Sequence, residues 1–246
     1  MTKRARRSVA GARAAPVVGV LLLAALAAAA WYALGRRAPA PAADATHAPV
    51  EPSAPLAASA ERVAAENEGR TLRVAGALRA ARPPKDTELG VAADADAIAL
   101  LRTVELLQWR EDCGGGACRY ALAWSERPID STKFREPAGH ENAARLPFAS
   151  ARFVAADVRL GAFRVDAALV ARLVDASEAV AYPVHVADLP ANLAATFRER
   201  DGALYAGAGA AEPQAGDLRV RYRIVAGGER SVVGVQAGDR LLAPPR

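Results

Sequence analysis

From Pro16 to Leu34 the chain runs for nineteen residues without a charged side chain, PVVGVLLLAALAAAAWYAL. At about 1.5 Å per residue, a helix of this length just crosses a hydrocarbon core of about 30 Å. Lys3, Arg4, Arg6, Arg7 and Arg13 precede it, and Arg36 and Arg37 follow. Lys and Arg favour the cytoplasmic side, so this bias predicts a cytoplasmic N-terminus and export of everything beyond the span. Trp31 and Tyr32, just ahead of the arginine pair, match an interfacial belt that closes a span. Ala28-Ala29-Ala30 also meets the small-x-small requirement for signal cleavage, which makes a removed signal peptide the competing reading. Either way the body of the chain folds where thiols oxidise.

The net charge of +5 belongs to that N-terminal region. Residues 1–37 hold seven cationic side chains and no acid, which leaves −2 for the rest. The body therefore has no excess charge to hold a phosphate backbone, and nucleic acid is not an expected partner. The division that follows is a basic cytoplasmic tail (1–15), a transmembrane helix or signal peptide (16–34), an Ala/Pro-rich linker (35–63) and an extracytoplasmic domain (64–243). The linker has neither apolar periodicity nor turn logic and reads as an extended tether.

Within the domain, Leu72, Val74, Gly76 and Leu78 alternate with polar or small residues, predicting a strand that ends before Pro83 and Pro84. Ile98 to Arg110 fits both periods: Leu100, Val104 and Leu107 suit a helix, while Leu100, Arg102, Val104 and Leu106 suit a strand. Gly114, Gly115 and Gly116 tip it toward a hairpin, with Tyr120, Leu122 and Trp124 alternating on the return and Cys113 facing Cys118. Ser125 to Pro147 is a long polar connection. Phe153 to Leu160 predicts another strand. Asp166 reads as the N-cap of a helix with Leu169, Val170, Leu173 and Val174 on one face. Tyr182 to Val186 predicts a short strand, and Asp188 with Pro190 the start of a second helix through about Arg200. Leu218, Val220, Tyr222 and Ile224 alternate with Arg219, Arg221 and Arg223, and a Gly227-Gly228 turn predicts a second hairpin into Ser231 to Gln236. The expected class is α+β, sheet-dominated, with two or so helices, after one N-terminal transmembrane helix.

Two cysteines separated by four residues in an exported domain predict a disulfide, and so small a loop contributes only about 2 kcal/mol. A redox pair and free thiols are the alternatives, although the spacing is not Cys-x-x-Cys and there is no second pair for zinc. Ser131, with Asp130 beside it and His140 nine residues on, is the one set that could support acyl transfer, which needs a base in reach of a hydroxyl. No Gly-x-Ser-x-Gly elbow accompanies it, and Asp-Ser commonly forms a turn or cap. No catalytic site is assigned on this basis, and the three residues stand as an alternative. His47 lies in the linker, and His140 and His185 are isolated, so no metal site is expected. The domain's two lysines, Lys85 and Lys133, follow no Gly-rich loop that could cradle phosphate, and no cofactor is expected. On a strand, Arg102 and Gln108 share one face and Glu105, Trp109 and Glu111 the other. Either one face is solvated, with Arg102 pairing a carboxylate across the sheet, or Trp109 and Trp124 anchor an assembly surface.

Several of these residues form an ordered pattern. Val74-x-Gly76-x-Leu78 is followed by Leu100-x-Arg102-x-Val104-Glu105-x-x-Gln108-Trp109-x-Glu111, then by Tyr120-x-x-x-Trp124, Ile129-Asp130-Ser131-x-x-Phe134 and His140-x-Asn142. Leu160-Gly161-x-Phe163, Gly216-Asp217-Leu218-Arg219-Val220 and Gly238-Asp239-x-Leu241 complete it. The pattern resembles the transmembrane protein 43 (LUMA) family, which has bacterial and animal members. That resemblance implies a large lumenal or extracytoplasmic domain after a first span, and structural or scaffolding roles in membrane complexes. It transfers no catalytic residue. Relatives continue into further spans where this sequence ends in Leu242-Ala243-Pro244-Pro245-Arg246, so the expectation is a single-span variant or a truncated product. They also tend to have proline where Ala143 follows Asn142. The combined expectation is a single-pass protein of the bacterial inner membrane, its domain periplasmic, with protein partners or a homo-oligomer. A lipid- or envelope-binding protein is a further alternative to the hydrolase.

Overall fold

The computed structural model describes residues 54–208 and 212–245. The basic tail, the apolar run Pro16–Leu34, His47 and most of the predicted linker lie outside the described residues. The end of that linker is folded. Strand β1 (Leu56–Ser59) lies parallel to β2 (Thr71–Ala80), with Leu56 opposite Leu72, and Ala58, Ala60 and Val63 pack against the core. Alanines contribute to this strand through close approach rather than bulk, so hydrophobic periodicity passes over it.

One sheet closes on itself. β2, β12 (Gly228–Ala237), β13 (Arg240–Leu242), β7 (Phe163–Val165) and β6 (Val158–Leu160) bond in that order, and β6 returns to β2. Closure leaves these strands no long open edge. Leu72, Val74, Leu160, Phe163, Val232 and Leu241 fill the interior with almost no exposure. Helix α1 (Ala167–Asp175) packs on the same core, where the Asp166 carboxylate accepts the Ala168 N–H at 2.9 Å, as predicted for the cap. Its buried Leu169, Val170 and Val174 each contribute about 1.5–3 kcal/mol.

The second sheet is antiparallel and centres on β3 (Ala97–Gly114) and β11 (Leu218–Ala226), with Glu105 opposite Arg219 and Arg102 opposite Tyr222. The far edge of β3 is shared by β5 (Ala151–Val154) and β4 (Ala117–Ser125). The far edge of β11 is shared by β8 (Val180–Tyr182) and β10 (Ala203–Ala206), with β9 (Arg198–Arg200) outside β10. Leu100, Val104, Leu106, Leu204 and Val220 form a second core with Leu89, Leu189 and Phe197 from the covering loops.

Four expectations differ in detail. The Gly227-Gly228 turn makes no hairpin, because β11 and β12 belong to different sheets and the chain crosses between them at Gly227. The Gly227 N–H donates to the Asp96 carbonyl at 2.6 Å, and a Cβ at this position would sit 2.2 Å from the Leu78 carbonyl oxygen. Only glycine passes there. The predicted strand 153–160 is broken by Asp157 at φ 55°, which sends β5 into one sheet and β6 into the other. The second helix shortens to α2 (Ala191–Ala194), since Phe197 turns into the core and the next three residues pair with β10. The strand predicted over 182–186 lies earlier, at β8, and Val186–Asp188 forms a 3-10 turn. Among the described residues the class is nevertheless the expected one, sheet-dominated α+β with two α-helices; the expected N-terminal transmembrane helix lies outside them. Among the described residues no helix is long and apolar enough to cross a membrane.

Candidate functional site: a hairpin and the loop that straps it

The end of β3 and the start of β4 form the predicted hairpin. Its loop is the pair Gly115-Gly116 at φ 61° and 89°, a turn whose twist matches that of the strands it joins. Cys113 and Cys118 face each other across the strands and are disulfide-bonded, with Cα atoms 4.1 Å apart. Glu111 lies within 4.8 Å of both sulfurs, but sulfurs bonded to one another offer no thiolate to a metal.

Residues 126–150 wrap the open edge of this hairpin, and the polar side chains of the sequence pattern hold them there. On one face, the fully buried Gln108 donates from Nε2 to the Arg127 carbonyl and accepts the Ile129 N–H at Oε1, both at 2.9 Å. At the edge, β11 begins only at Leu218, so the peptide groups of Trp109 extend past its end. The Asn142 amide takes the place of a neighbouring strand: Oδ1 accepts the Trp109 N–H at 2.7 Å and Nδ2 donates to the Trp109 carbonyl at 2.9 Å. Ser131 Oγ accepts the Asn142 N–H at 2.9 Å. On the other face, one Glu111 oxygen accepts the Tyr120 hydroxyl and the Arg135 N–H, both at 2.6 Å. These bonds, the tyrosine's first, hold the Glu111 carboxyl below the usual carboxylate range. His140 stacks on Tyr120 at 3.8 Å and meets the edge of Trp109 at 4.8 Å, and Phe134 lies 6.0 Å from Tyr120. Each amide–backbone bond contributes about 0.5–1.5 kcal/mol made and costs about 1–3 kcal/mol when a buried partner is stranded.

The structure therefore places the alternative catalytic residues in the strap without joining them. Ser131 is 8 % exposed. Asp130 accepts from the backbone and hydroxyl of Thr132 and pairs with Lys133, which lowers its carboxyl, the hydroxyl contributing most. His140 Nδ1 lies 3.0 Å from the Glu136 carbonyl, an acceptor only, so that nitrogen carries a proton. None of the hydrogen bonds among the described residues links Ser131, His140 and Asp130 to one another.

Two ionic clusters extend the site along β3. Arg102, 4 % exposed, donates to Asp86 at 2.7 Å, to Glu88 at 2.5 Å and to the Ala149 carbonyl at 2.9 Å, which anchors the far end of the strap. Burial lowers the Arg102 guanidinium's pKa, but the bonds to Glu88 and Asp86 outweigh it and leave a net rise. The Tyr222 hydroxyl donates to the same Asp86 oxygen at 2.7 Å, and burial pushes this phenol far above its ordinary value. On the opposite face Glu105 accepts two bonds from Arg219, at 2.6 and 2.9 Å, and one from Arg221 at 3.1 Å. The Arg219 bonds hold the Glu105 carboxyl low against the opposing effect of burial. Trp124 carries the Arg219 guanidinium 4.2 Å above its ring and lies edge-on to Tyr205 at 6.1 Å.

The carboxylates that pair Arg102 come from the loop after Pro83-Pro84, not from across the sheet. No local pattern marks Asp86 or Glu88, and the one available signal was that a buried arginine requires an anion. The Tyr205–Asp217 hydrogen bond was likewise missed, although Asp217 sat inside a recognised motif.

Comparison with known proteins places these residues in context. A family model described as Transmembrane protein 43 matches residues 115–244. Transmembrane protein 43 of Rattus norvegicus is 27 % identical over 198 residues, covering 76 % of this chain and 46 % of the relative. The Homo sapiens protein of the same name is 32 % identical over 124 residues, covering 46 % of this chain and 30 % of its own length. The Mus musculus protein is 30 % identical over 127 residues, covering 47 % and 31 %. The matched region is thus less than half the length of each of these relatives. No solved structure matches the chain.

Proposed function

Because the chain belongs to the transmembrane protein 43 family, we propose that it is a membrane-anchored protein whose α+β domain lies outside the cytoplasm and scaffolds membrane-protein assembly. One observation carries this reading. The polar side chains of the family pattern are committed to the protein's own backbone and carboxylates, through Gln108, Asn142, Ser131, Glu111 and Arg102. A pattern spent on shaping a strapped hairpin presents a surface rather than a reaction centre. The uncharged run Pro16–Leu34 supplies the anchor, and its flanking charges orient it. The hydrolase alternative has no comparable support, since its three residues share no hydrogen bond. Crosslinking the full chain in intact membranes, followed by detergent extraction, tests the proposal. Discrete crosslinked species, homo-oligomeric or with neighbours, are expected. A chain that remains monomeric with no neighbour captured refutes it.

A further inference from the structure

Away from the strap, one side of β9, β10 and β11 gathers guanidinium groups. The register sets Arg219 opposite Tyr205 and Tyr205 opposite Arg198, with Arg200 opposite Ala203 one row along. Arg221 follows Arg219 by two residues and shares its face. Arg200, Arg219 and Arg221 line a concavity of about 80 Å³ together with Trp124, Tyr205 and one carboxylate, Asp201. A drug-sized ligand needs roughly 300–1,000 Å³, so this site admits one compact group.

The aromatic rings hold the cations in place. Arg219 lies 4.2 Å over Trp124, and Arg198 and Arg200 lie 4.8 and 5.3 Å from the Tyr205 ring centre. The local carboxylates leave donors unused. Glu105 takes Nε and Nη2 of Arg219 and Nη1 of Arg221, so Arg219 Nη1 and Arg221 Nη2 have no hydrogen-bond partner among the described residues. Asp217, 5 % exposed, is turned inward to the Tyr205 hydroxyl and the N–H groups of Gln214 and Ala208. Asp201 is 88 % exposed and only 3.7 Å from Arg200 Nε, a contact that solvent screens. Forked N–H donors on a partly desolvated strand surface suit the oxygens of a tetrahedral anion better than a point charge would.

We propose that this concavity binds a single phosphate-type oxyanion through Arg200, Arg219 and Arg221. The inference does not depend on the assembly reading. Free phosphate and a lipid headgroup share this chemistry, and two titrations separate them. The full chain, purified in detergent without phosphate, is titrated calorimetrically with inorganic phosphate, then with soluble dihexanoyl phosphatidylglycerol in the presence and absence of phosphate. Saturable one-site binding of phosphate is expected, weakened about tenfold by Arg221→Gln and, separately, by Arg200→Gln. Arg223→Gln removes the same charge from β11 outside the concavity and is expected to change affinity less than twofold. Competition by the short-chain lipid assigns the site to a headgroup, and its absence assigns it to free phosphate or a phosphomonoester. Circular dichroism and the melting midpoint establish that each variant is folded. Binding that does not saturate, or that Arg223→Gln weakens as much as Arg221→Gln, overturns the proposal in favour of diffuse charge.

Discussion

Replacing Arg102 with methionine removes the cation from a site that keeps its buried carboxylate. The Arg102 and Asp86 side chains are 3 % and 0 % exposed, so solvent does not screen the loss. Breaking a buried pair from one side costs about 3–5 kcal/mol, because the remaining charge is stranded. Two features of this site favour the lower end. Asp86 keeps the Tyr222 hydroxyl and the N–H groups of Glu88 and Leu89, and the half-exposed Glu88 carboxylate returns to water. Methionine also fills much of the vacated volume. The expected loss is therefore about 3 kcal/mol, which at about 2–4 °C per kcal/mol lowers the melting midpoint by about 6–12 °C. Near-ultraviolet circular dichroism of the full chain in detergent reads it. Adding Asp86→Asn removes the stranded charge, so the double variant is expected to recover at least about 1 kcal/mol relative to the sum of the single effects. A single-variant drop below about 3 °C, or additive effects in the double variant, would refute the claim that this pair is an isolated, low-dielectric unit.

Other outcomes follow from the same geometry. Native protein is expected to show no titratable thiol, and Cys113→Ser with Cys118→Ser to cost about 2 kcal/mol without loss of the fold; two reactive thiols in the unreduced chain would contradict the staple. Asn142→Ala strands the Trp109 N–H and carbonyl, so limited proteolysis is expected to cut more rapidly within residues 126–142, and an unchanged digestion pattern would count against the strap. Because the folded-state Glu105 carboxyl is depressed, its stabilisation is complete above the unfolded value of about 4.3 and is lost as pH falls through the lower folded value. Glu105→Gln is accordingly expected to flatten the acid limb of a stability–pH curve, and an unaltered limb would remove Glu105 as its source. Gly227→Ala is expected to prevent folding, since its Cβ would lie 2.2 Å from the Leu78 carbonyl oxygen; a soluble, cooperatively melting variant would refute the crossing.

The parts of this fold that were legible in sequence are those whose cause is local. The alternation at Thr71 to Leu78, the Asp166 cap with its helical stripe, and the turn at Gly114, Gly115 and Gly116 between paired cysteines each depend on close neighbours in the chain. The opposite faces of Arg102 and Glu105 followed from strand pleating alone. The candidate site was half legible. Gln108, Glu111, Ser131 and Asn142 stood out as a pattern, but their common role as clamps needed the path of residues 126–150 in space.

Among the described residues, what the sequence determined by itself was therefore the kind of the long strands and of the helix capped by Asp166, with the staple and the glycine turn, because backbone sterics and side-chain period act over a few residues. Tertiary structure alone decided that β11 and β12 belong to different sheets, that Asp86 and Glu88 meet Arg102, and that Arg200 joins Arg219 and Arg221 around one concavity. Those outcomes depend on register and closure between segments up to more than a hundred residues apart, such as Tyr222 and Asp86 at a separation of 136. No local period encodes such pairings. They are chosen by which combination buries the apolar faces while leaving each internal polar group a partner.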